Sequence, residues 1–132
     1  MIYYHGRSSS RPFYGKYIYI TPSQEYAKLY SNDGFIFECT LLCDEKDLFS
    51  ILNKEHQKLF INEFGSELFS KTYENKELDW AKVSNVSNNN FELFEDFLKH
   101  LNFKGLILQE RSEYISLYVF DQSNVKLGNK IS

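Results

Sequence analysis

Apolar residues in the first third of the chain follow the two-residue period of strands. Residues 2–5 and 17–20 are short runs rich in Ile and Tyr, and residues 34–43 alternate loosely with Phe, Ile and Cys, which predicts three strands. Between the second and third runs, Thr21 is a typical helix N-cap and Gln24 completes a capping box. The pattern therefore predicts the order strand, strand, short helix, strand.

From residue 46 onward the spacing of apolar residues becomes helical. Leu and Phe recur at helical intervals between residues 48 and 69, which predicts two helices divided near Gly65. Residues 71–90 are polar and end in an Asn-rich run, a pattern that predicts a surface loop. Phe and Leu residues then mark another amphipathic helix over residues 91–101.

Two further strands are predicted at residues 105–108 and 114–120, joined by a turn around Arg111. Strands at both ends of the chain with helices between them indicate an α+β fold, with the helices inserted in the middle of a mostly antiparallel sheet. No internal repeat divides the 132 residues. Residues 1–132 are therefore predicted to form a single domain.

Charge and hydropathy disfavour two classes of protein, namely general nucleic-acid binders and membrane proteins. The net charge of −3 disfavours a general nucleic-acid binder, which is usually basic. No apolar run approaches the roughly 18 residues of a membrane span, and the N-terminus lacks a signal-peptide pattern, so a cytoplasmic protein without a membrane partner is expected. Cys39 and Cys43 are too far apart along one strand to form a disulfide, and no further Cys near them indicates a zinc site.

Four residues carry candidate chemistry in the first part of the chain. His5 ends a strand-like run, and Gly6 after it permits close approach of a ligand to the backbone. A neutral imidazole can hydrogen-bond a ribose hydroxyl. Tyr19 and Tyr30 can sandwich a flat ring between them. Each of these residues alone is more often an ordinary core or surface residue.

Two acidic residues carry candidate chemistry near the end of the chain. Glu113 heads a predicted apolar strand, where a carboxylate is costly unless it has a partner or a task. Glu110 lies three residues earlier, across the same turn. A glycosidase pair can also be built from two carboxylates, although this spacing on a hairpin indicates one only weakly. A solvated hairpin is the alternative for both residues.

Taken in chain order, these motifs resemble the ADP-ribosyltransferase fold in its His-Tyr-Glu branch, which includes diphtheria toxin and the poly-ADP-ribose polymerases. His5-Gly6 resembles the family's N-terminal His-Gly, and residues 15–19 resemble its Gly-x-x-Ile-Tyr strand. Tyr30 stands where the family carries its second stacking tyrosine, and residues 113–115 resemble its terminal Glu-Tyr-Ile strand. The resemblance implies an ADP-ribosyltransferase-like fold of split antiparallel sheets.

The resemblance also implies NAD as the substrate and a role for each residue. His5 is expected to hydrogen-bond the adenosine-side ribose, and the Gly6 backbone to hold the nicotinamide carboxamide. Tyr19 and Tyr30 are expected to stack on the nicotinamide ring. Glu113 is expected to bond the 2′-hydroxyl of the nicotinamide ribose, which makes it the catalytic acid.

Three further positions bear on how the resemblance assigns roles to individual residues. Arg7 is expected to meet the pyrophosphate, since guanidinium groups suit phosphate geometry, and Arg11 is an alternative. Ala27 stands where polymerase-type members carry a serine that contacts the nicotinamide amide, so amide recognition differs here. Glu110 competes with Glu113 for the catalytic role, because small phage anti-CRISPR transferases place their acid nearer to Glu110. Glu113 ranks first.

The expected activity is mono-ADP-ribosylation of a protein acceptor with release of nicotinamide. The length and layout of the chain suit a phage or bacterial effector, such as an anti-CRISPR protein or a toxin, whose target belongs to a nucleic-acid-handling or defence complex. The acidic balance makes nucleic acid a less favoured acceptor. The alternatives are a catalytically degenerate module that binds NAD or a protein, and an NAD glycohydrolase that uses water as the acceptor.

Overall fold

The structure is a computed structural model, and it describes residues 2–7, 16–31, 34–50, 52–74, 77–78, 91–110 and 114–131. Four α-helices lie in these ranges, namely α1 (Gln24–Ser31), α2 (Lys54–Phe64), α3 (Ser66–Thr72) and α4 (Phe91–His100). Nine strands accompany them, namely β1 (Tyr3–Arg7), β2 (Ile18–Ile20), β3 (Phe35–Leu41), β4 (Leu48–Ser50), β5 (Tyr73–Glu74), β6 (Glu77–Leu78), β7 (Gly105–Glu110), β8 (Tyr114–Val119) and β9 (Val125–Lys130). The fold class is α+β, as the sequence predicts. None of the helices in the described ranges is long and apolar enough to span a membrane.

Two sheets form the centre of the molecule. The first sheet has the order β1-β3-β9 and is antiparallel throughout. The second sheet has the order β2-β8-β7-β4, in which β4 runs parallel to β7 and the other pairs are antiparallel. A reciprocal pair of backbone hydrogen bonds between Tyr4 and Thr21, of 2.7 and 2.9 Å, joins β1 to the end of β2. In the part of the chain that the structure describes, this bridge is the one backbone rung between the two sheets.

Each face of the second sheet is covered by a separate apolar cluster. One face packs against the first sheet, through Tyr3, Ile18, Ile20, Cys39, Leu48, Leu117, Val119 and Val125. The other face packs against α2 and α4, through Phe49, Phe60, Phe94, Leu98, Leu106, Leu108, Tyr118 and Phe120. Burying one such side chain stabilises a fold by about 1.5–3 kcal/mol. The second sheet is therefore the middle layer, and its strand positions are fixed from both sides.

Helix α1 lies against the first sheet at Gly6. A Cβ atom at residue 6 would collide with the carbonyl oxygen of Ala27 and lie 3.2 Å from the backbone nitrogen of Ser31. Ala27 and Ser31 are both fully buried in this contact. Only glycine permits such a close approach of a helix backbone to a strand. The His-Gly motif thus has a packing reason for its glycine, in addition to the ligand approach that the sequence indicates.

The structure corrects three local predictions. Residues 48–50 form the parallel strand β4 instead of the start of a helix, because Phe49 lies opposite Leu106 in the core ladder. Thr21 is not the N-cap of α1, since it is held in the bridge to Tyr4, and the side chain of Ser23 accepts a hydrogen bond from the Tyr26 N–H instead. The strand β9, after the last predicted strand, was not expected at all.

Other local predictions are confirmed. The helices α2 and α3 divide at Gly65, and α4 occupies residues 91–100 of the predicted helix. Cys39 and Cys43 are both free thiols. Within the polar stretch 71–90, α3 ends at Thr72 and two short strands follow, and the rest of the stretch lies outside the described residues.

We predict that Gly6→Ala destabilises the fold by about 1–3 kcal/mol, the usual range for overpacking, because the added methyl group forces α1 away from β1. Equilibrium unfolding in urea measures this loss. Gly128→Ala is the matched control: it also adds a Cβ within a strand of the first sheet, but the nearest atom, Glu38 O, is 3.2 Å away, so a smaller loss is expected. Equal losses for the two variants would contradict the close approach of α1.

Candidate functional site

His5 lies where the two sheets part. Its backbone follows Tyr4, which makes the bridge to Thr21, and its ring reaches the second sheet, where Nδ1 is 2.7 Å from the carbonyl oxygen of Tyr19. The next backbone rung after the Tyr4–Thr21 bridge would pair Gly6 with Tyr19. Instead, the Tyr19 carbonyl accepts a hydrogen bond from the His5 imidazole. A side-chain hydrogen bond thus links the two sheets where the next backbone rung would have been.

The protonation of His5 follows from its surroundings. The ring is 6% exposed, and burial lowers its pKa below the ordinary value of 6.5, against the opposing effect of the bond to Tyr19. A carbonyl oxygen can only accept, so Nδ1 carries the proton in the neutral ring. The nitrogen Nε2 therefore carries the lone pair and is the hydrogen-bond acceptor of the ring, and it is buried.

Arg7 lies on the same face of β1 as His5, at the end of the strand. Its guanidinium carbon is 5.0 Å from the centre of the Phe37 ring, a cation–π geometry. The positive charge of Arg7 further lowers the pKa of His5, and burial lowers the pKa of Arg7 itself. A half-buried cation therefore lies next to a neutral imidazole.

The backbone of Gly6 faces the second sheet. In an antiparallel strand, alternate residues direct their N–H and C=O groups to the same neighbour. Since Tyr4 bonds Thr21 through both groups, Gly6 directs its own groups to the same side. Ala27 lies behind Gly6 on α1, and Tyr30 follows one turn later on that helix. The side chain of Tyr30 lies outside the described residues.

Tyr19 is held in a cluster of tyrosines on the second sheet. Its ring meets Tyr118 edge-on at 4.8 Å and Tyr17 edge-on at 5.9 Å, and Tyr17 stacks on Tyr118 at 5.1 Å. The ring of Tyr19 is only partly buried, so part of it stays accessible. The cluster fixes the ring orientation before any ligand arrives.

The sequence did not single out two features near this site. The rings of Tyr26 and Tyr114 stack at 4.4 Å with an interplanar angle of 4°, which ties α1 to the start of β8. The hydroxyl of Ser116, two residues further along β8, is fully buried and has no hydrogen-bond partner among the described residues. A single serine within an apolar strand was the available signal, and such a hydroxyl costs about 1–3 kcal/mol when it stays unpaired.

The two candidate acids belong to the hairpin of β7 and β8. Glu110 is the last residue of β7, opposite Tyr114 in the ladder, and its side chain lies outside the described residues. Glu113 lies outside the described residues altogether, as does Arg11. Their hairpin is tied to β2 through the Thr21 hydroxyl, which donates to the carbonyl of Ile115 at 2.7 Å.

A cavity of about 260 Å³ lies elsewhere on the molecule. It is lined by Lys99, Asn102, Phe103, Lys104, Phe120, Asp121 and Asn124. These residues surround the end of the ladder where Gly105 pairs with Val119, whereas the two glutamates belong to the hairpin end. The cavity and the candidate site are therefore separate.

The structure brings His5, Gly6, Arg7, Ala27 and the backbone of Tyr19 together around the junction of the two sheets. The ring of Tyr19 packs on the opposite face of the second sheet, with the cluster that meets α2 and α4. Comparison of the chain with family models, with curated proteins and with solved structures finds no match in any of the three. What the site does must therefore be argued from its own chemistry.

We predict that the stability of the protein falls as the pH is lowered from about 7.5 to 5.5. Because the folded pKa of His5 lies below its unfolded value of 6.5, the unfolded state binds more protons between the two pKa values. The contribution of His5 is thus complete above pH 6.5 and is lost as the pH falls towards its folded pKa. Urea unfolding across this range measures the loss.

The variant His5→Asn tests the origin of this dependence. Its amide can still donate to the Tyr19 carbonyl but does not titrate, so the loss at acid pH should shrink. Part of it should remain, because burial also lowers the pKa of His56. An unchanged pH dependence in His5→Asn would mean that His5 is not buried as a neutral ring.

Proposed function

We propose that the protein is an NAD-dependent mono-ADP-ribosyltransferase with an ADP-ribosyltransferase-like arrangement of two split sheets. The observation that carries the proposal is the position of His5. A neutral imidazole, oriented by the Tyr19 carbonyl, makes the buried Nε2 the acceptor of the ring at the point where two sheets separate. The backbone of Gly6 faces the same side and offers both a donor and an acceptor, which suits a carboxamide.

The connectivity of the sheets supports a meeting of His5 with Glu113. Tyr4 bonds Thr21, and Thr21 in turn bonds Ile115, so a chain of hydrogen bonds runs from β1 through β2 to β8. Glu113 is two residues from Ile115, and two residues of chain span at most about 7 Å. Both glutamates belong to the hairpin next to β2, which is the strand of Tyr19.

Each side chain then has a task in the proposed reaction. His5 would accept a hydrogen bond from a ribose hydroxyl, and Arg7 would neutralise the pyrophosphate. Tyr19 and Tyr30 would stack on the nicotinamide ring. Glu113 would bond the 2′-hydroxyl of the nicotinamide ribose and stabilise positive charge as the bond to nicotinamide breaks. Fixed charge next to a developing cation is often the largest contribution to catalysis.

The bond changes balance without a further reagent. The bond between the ribose anomeric carbon and the nicotinamide nitrogen breaks, and its electron pair leaves with nicotinamide. An acceptor nucleophile forms the new bond to the same carbon, and its proton is released to the solvent. Glu113 is the first choice for the catalytic acid and Glu110 the second, since both belong to the same hairpin.

The proposed acceptor is a protein, with the chain acting in a host cytoplasm as a phage or bacterial effector, either as an anti-CRISPR protein or as a toxin. A target within a nucleic-acid-handling or defence complex fits a domain of this size. Two alternatives share the same site. A degenerate module would bind NAD or a protein without transferring ADP-ribose, and an NAD glycohydrolase would use water as the acceptor.

Incubation with labelled NAD and a bacterial lysate tests the proposal. We predict a labelled protein band and free nicotinamide with the wild type, and a loss of at least about a hundredfold in rate for Glu113→Gln, the usual scale for removing one such group. His5→Ala should lower the rate through weaker NAD binding. If Glu110→Gln abolishes the label while Glu113→Gln does not, the two acids exchange roles.

The matched control is Glu63→Gln, which makes the same chemical change at an exposed position of α2 and should leave the rate unchanged. Circular dichroism of each variant separates lost activity from lost folding. Nicotinamide release without a labelled band would indicate the glycohydrolase, and NAD binding without nicotinamide release the degenerate module. No binding and no release would overturn the proposal.

A further inference from the structure

A cavity of about 260 Å³ lies at the end of the β7–β8 ladder that is remote from the two glutamates. Its walls come from the end of α4, from the turn between α4 and β7, and from the segment between β8 and β9. We name it the Lys104 cavity, and its lining consists of Lys99, Asn102, Phe103, Lys104, Phe120, Asp121 and Asn124.

The backbone around the Lys104 cavity is held by hydrogen bonds. The Lys104 N–H donates to the carbonyl oxygen of Asp47 at 2.8 Å, and the Lys104 carbonyl accepts from the Phe120 N–H at 3.0 Å. Beyond β8, the Asn124 N–H donates to the carbonyl oxygen of Asp121 at 3.0 Å. The walls are thus tied to each other and to the rest of the fold, so the cavity is formed before a ligand binds.

The Lys104 cavity carries one cation and one anion that do not pair with each other. Lys104 is exposed, and its ammonium makes no ion pair or hydrogen bond among the described residues. The Asp121 carboxylate accepts a hydrogen bond from the Ser123 backbone N–H at 2.9 Å, which lowers the pKa of Asp121 below its ordinary value. The charge of Lys99 is already compensated, because its Nζ lies 3.8 Å from a carboxylate oxygen of Glu95. One open charge of each sign therefore faces a ligand.

Two amides and two aromatic residues complete the lining. The side chains of Asn102 and Asn124 make no hydrogen bond among the described residues, so each amide can donate to a ligand and accept from it. Asn102 has a left-handed backbone with a φ of 69°, which turns the chain from α4 towards β7. Phe103 and Phe120 belong to the apolar cluster that packs against α2 and α4, and they supply the apolar part of the lining.

We propose that the Lys104 cavity binds a free amino acid with an apolar side chain. The ligand carboxylate would meet the Lys104 ammonium, and the ligand ammonium would meet the Asp121 carboxylate. The two asparagine amides would bond the remaining polar atoms of the ligand. Its apolar side chain would lie against Phe103 and Phe120, so that every part of the lining has a partner.

Charge and size both favour such a zwitterion. A simple anion would be repelled by Asp121, and a simple cation would be repelled by Lys104. A cavity of about 150 Å³ can hold benzene, so the larger space here has room for the side chain and the charged groups of leucine or phenylalanine. A dinucleotide is too large for it. The proposal therefore needs neither NAD nor the two glutamates of the proposed function.

Titration of the isotope-labelled protein with L-phenylalanine, followed by NMR, tests the proposal. Saturable shifts are expected at the backbone amides of the cavity lining. Two matched ligands each lack one charge, since phenylpropionate has no ammonium group and phenethylamine has no carboxylate. Each should bind at least about tenfold more weakly than phenylalanine, because one charged hydrogen-bonding group is missing.

Two substitutions remove the open charges of the cavity. Lys104→Met nearly keeps the length of the side chain, and Asp121→Asn keeps an oxygen that can accept from the Ser123 N–H. Each should weaken phenylalanine binding at least about tenfold. The matched controls are Lys28→Met on α1 and Glu63→Gln on α2, both exposed and outside the lining. They should change the affinity less than about twofold, since salt screens exposed charges away from the site.

Three outcomes would overturn the proposal, namely no saturable shifts at the lining, equal binding of either matched ligand, and equal weakening by Lys104→Met and Lys28→Met. Glu113→Gln should bind phenylalanine as the wild type does. Failure here and failure of the proposed transferase activity are therefore distinguishable.

Discussion

The single bridge between Tyr4 and Thr21 governs the arrangement of the whole site. Among the described residues it is the one backbone rung that joins the two sheets, and it sets where β1 and β2 separate. Had the ladder continued, Gly6 and Tyr19 would have bonded each other, and their polar groups would be unavailable to a ligand. The ladder stops after one rung, and the His5 imidazole satisfies the Tyr19 carbonyl instead. Polar groups of both sheets therefore lie close together at the point where β1 and β2 separate.

Both sides of this junction are packed from behind. Helix α1 lies against Gly6 so closely that no side chain fits between them, and the stacked rings of Tyr26 and Tyr114 tie the same helix to β8. The second sheet is covered on both faces by apolar clusters. A site held in this way orients its groups before a ligand binds, which lowers the cost of ordering them.

The sequence predicted those parts of the fold that depend on local spacing. Helices α2 and α4 follow from the 3.6-residue period of their Phe and Leu residues, and the central strand β3 from its β-rich run. The prediction of a helix at residues 48–50 was wrong, because a short apolar run is compatible with both a helix and a strand. Its pairing with the distant strand β7 makes it a strand. Thr21 was misassigned for a similar reason: its distant bridge to Tyr4 overrides its capping propensity. The His-Gly motif lies at the junction, where the His5 ring contacts the Tyr19 carbonyl, and the roles of the motif residues in binding stay predictions.

The face on which Lys130 lies shows what no local pattern contains. Cys39 pairs with Leu127, so an unbroken register would place Lys130 opposite Ile36, on the side covered by α1. One extra residue in β9 moves it opposite Phe37 instead, because a shift of one residue turns a side chain to the other face of a sheet. The net charge of the chain includes this lysine but does not show on which face of the sheet its side chain lies. The register shift therefore brings the Lys130 ammonium to 4.1 Å from the centre of the Phe35 ring, a contact that the sequence does not predict.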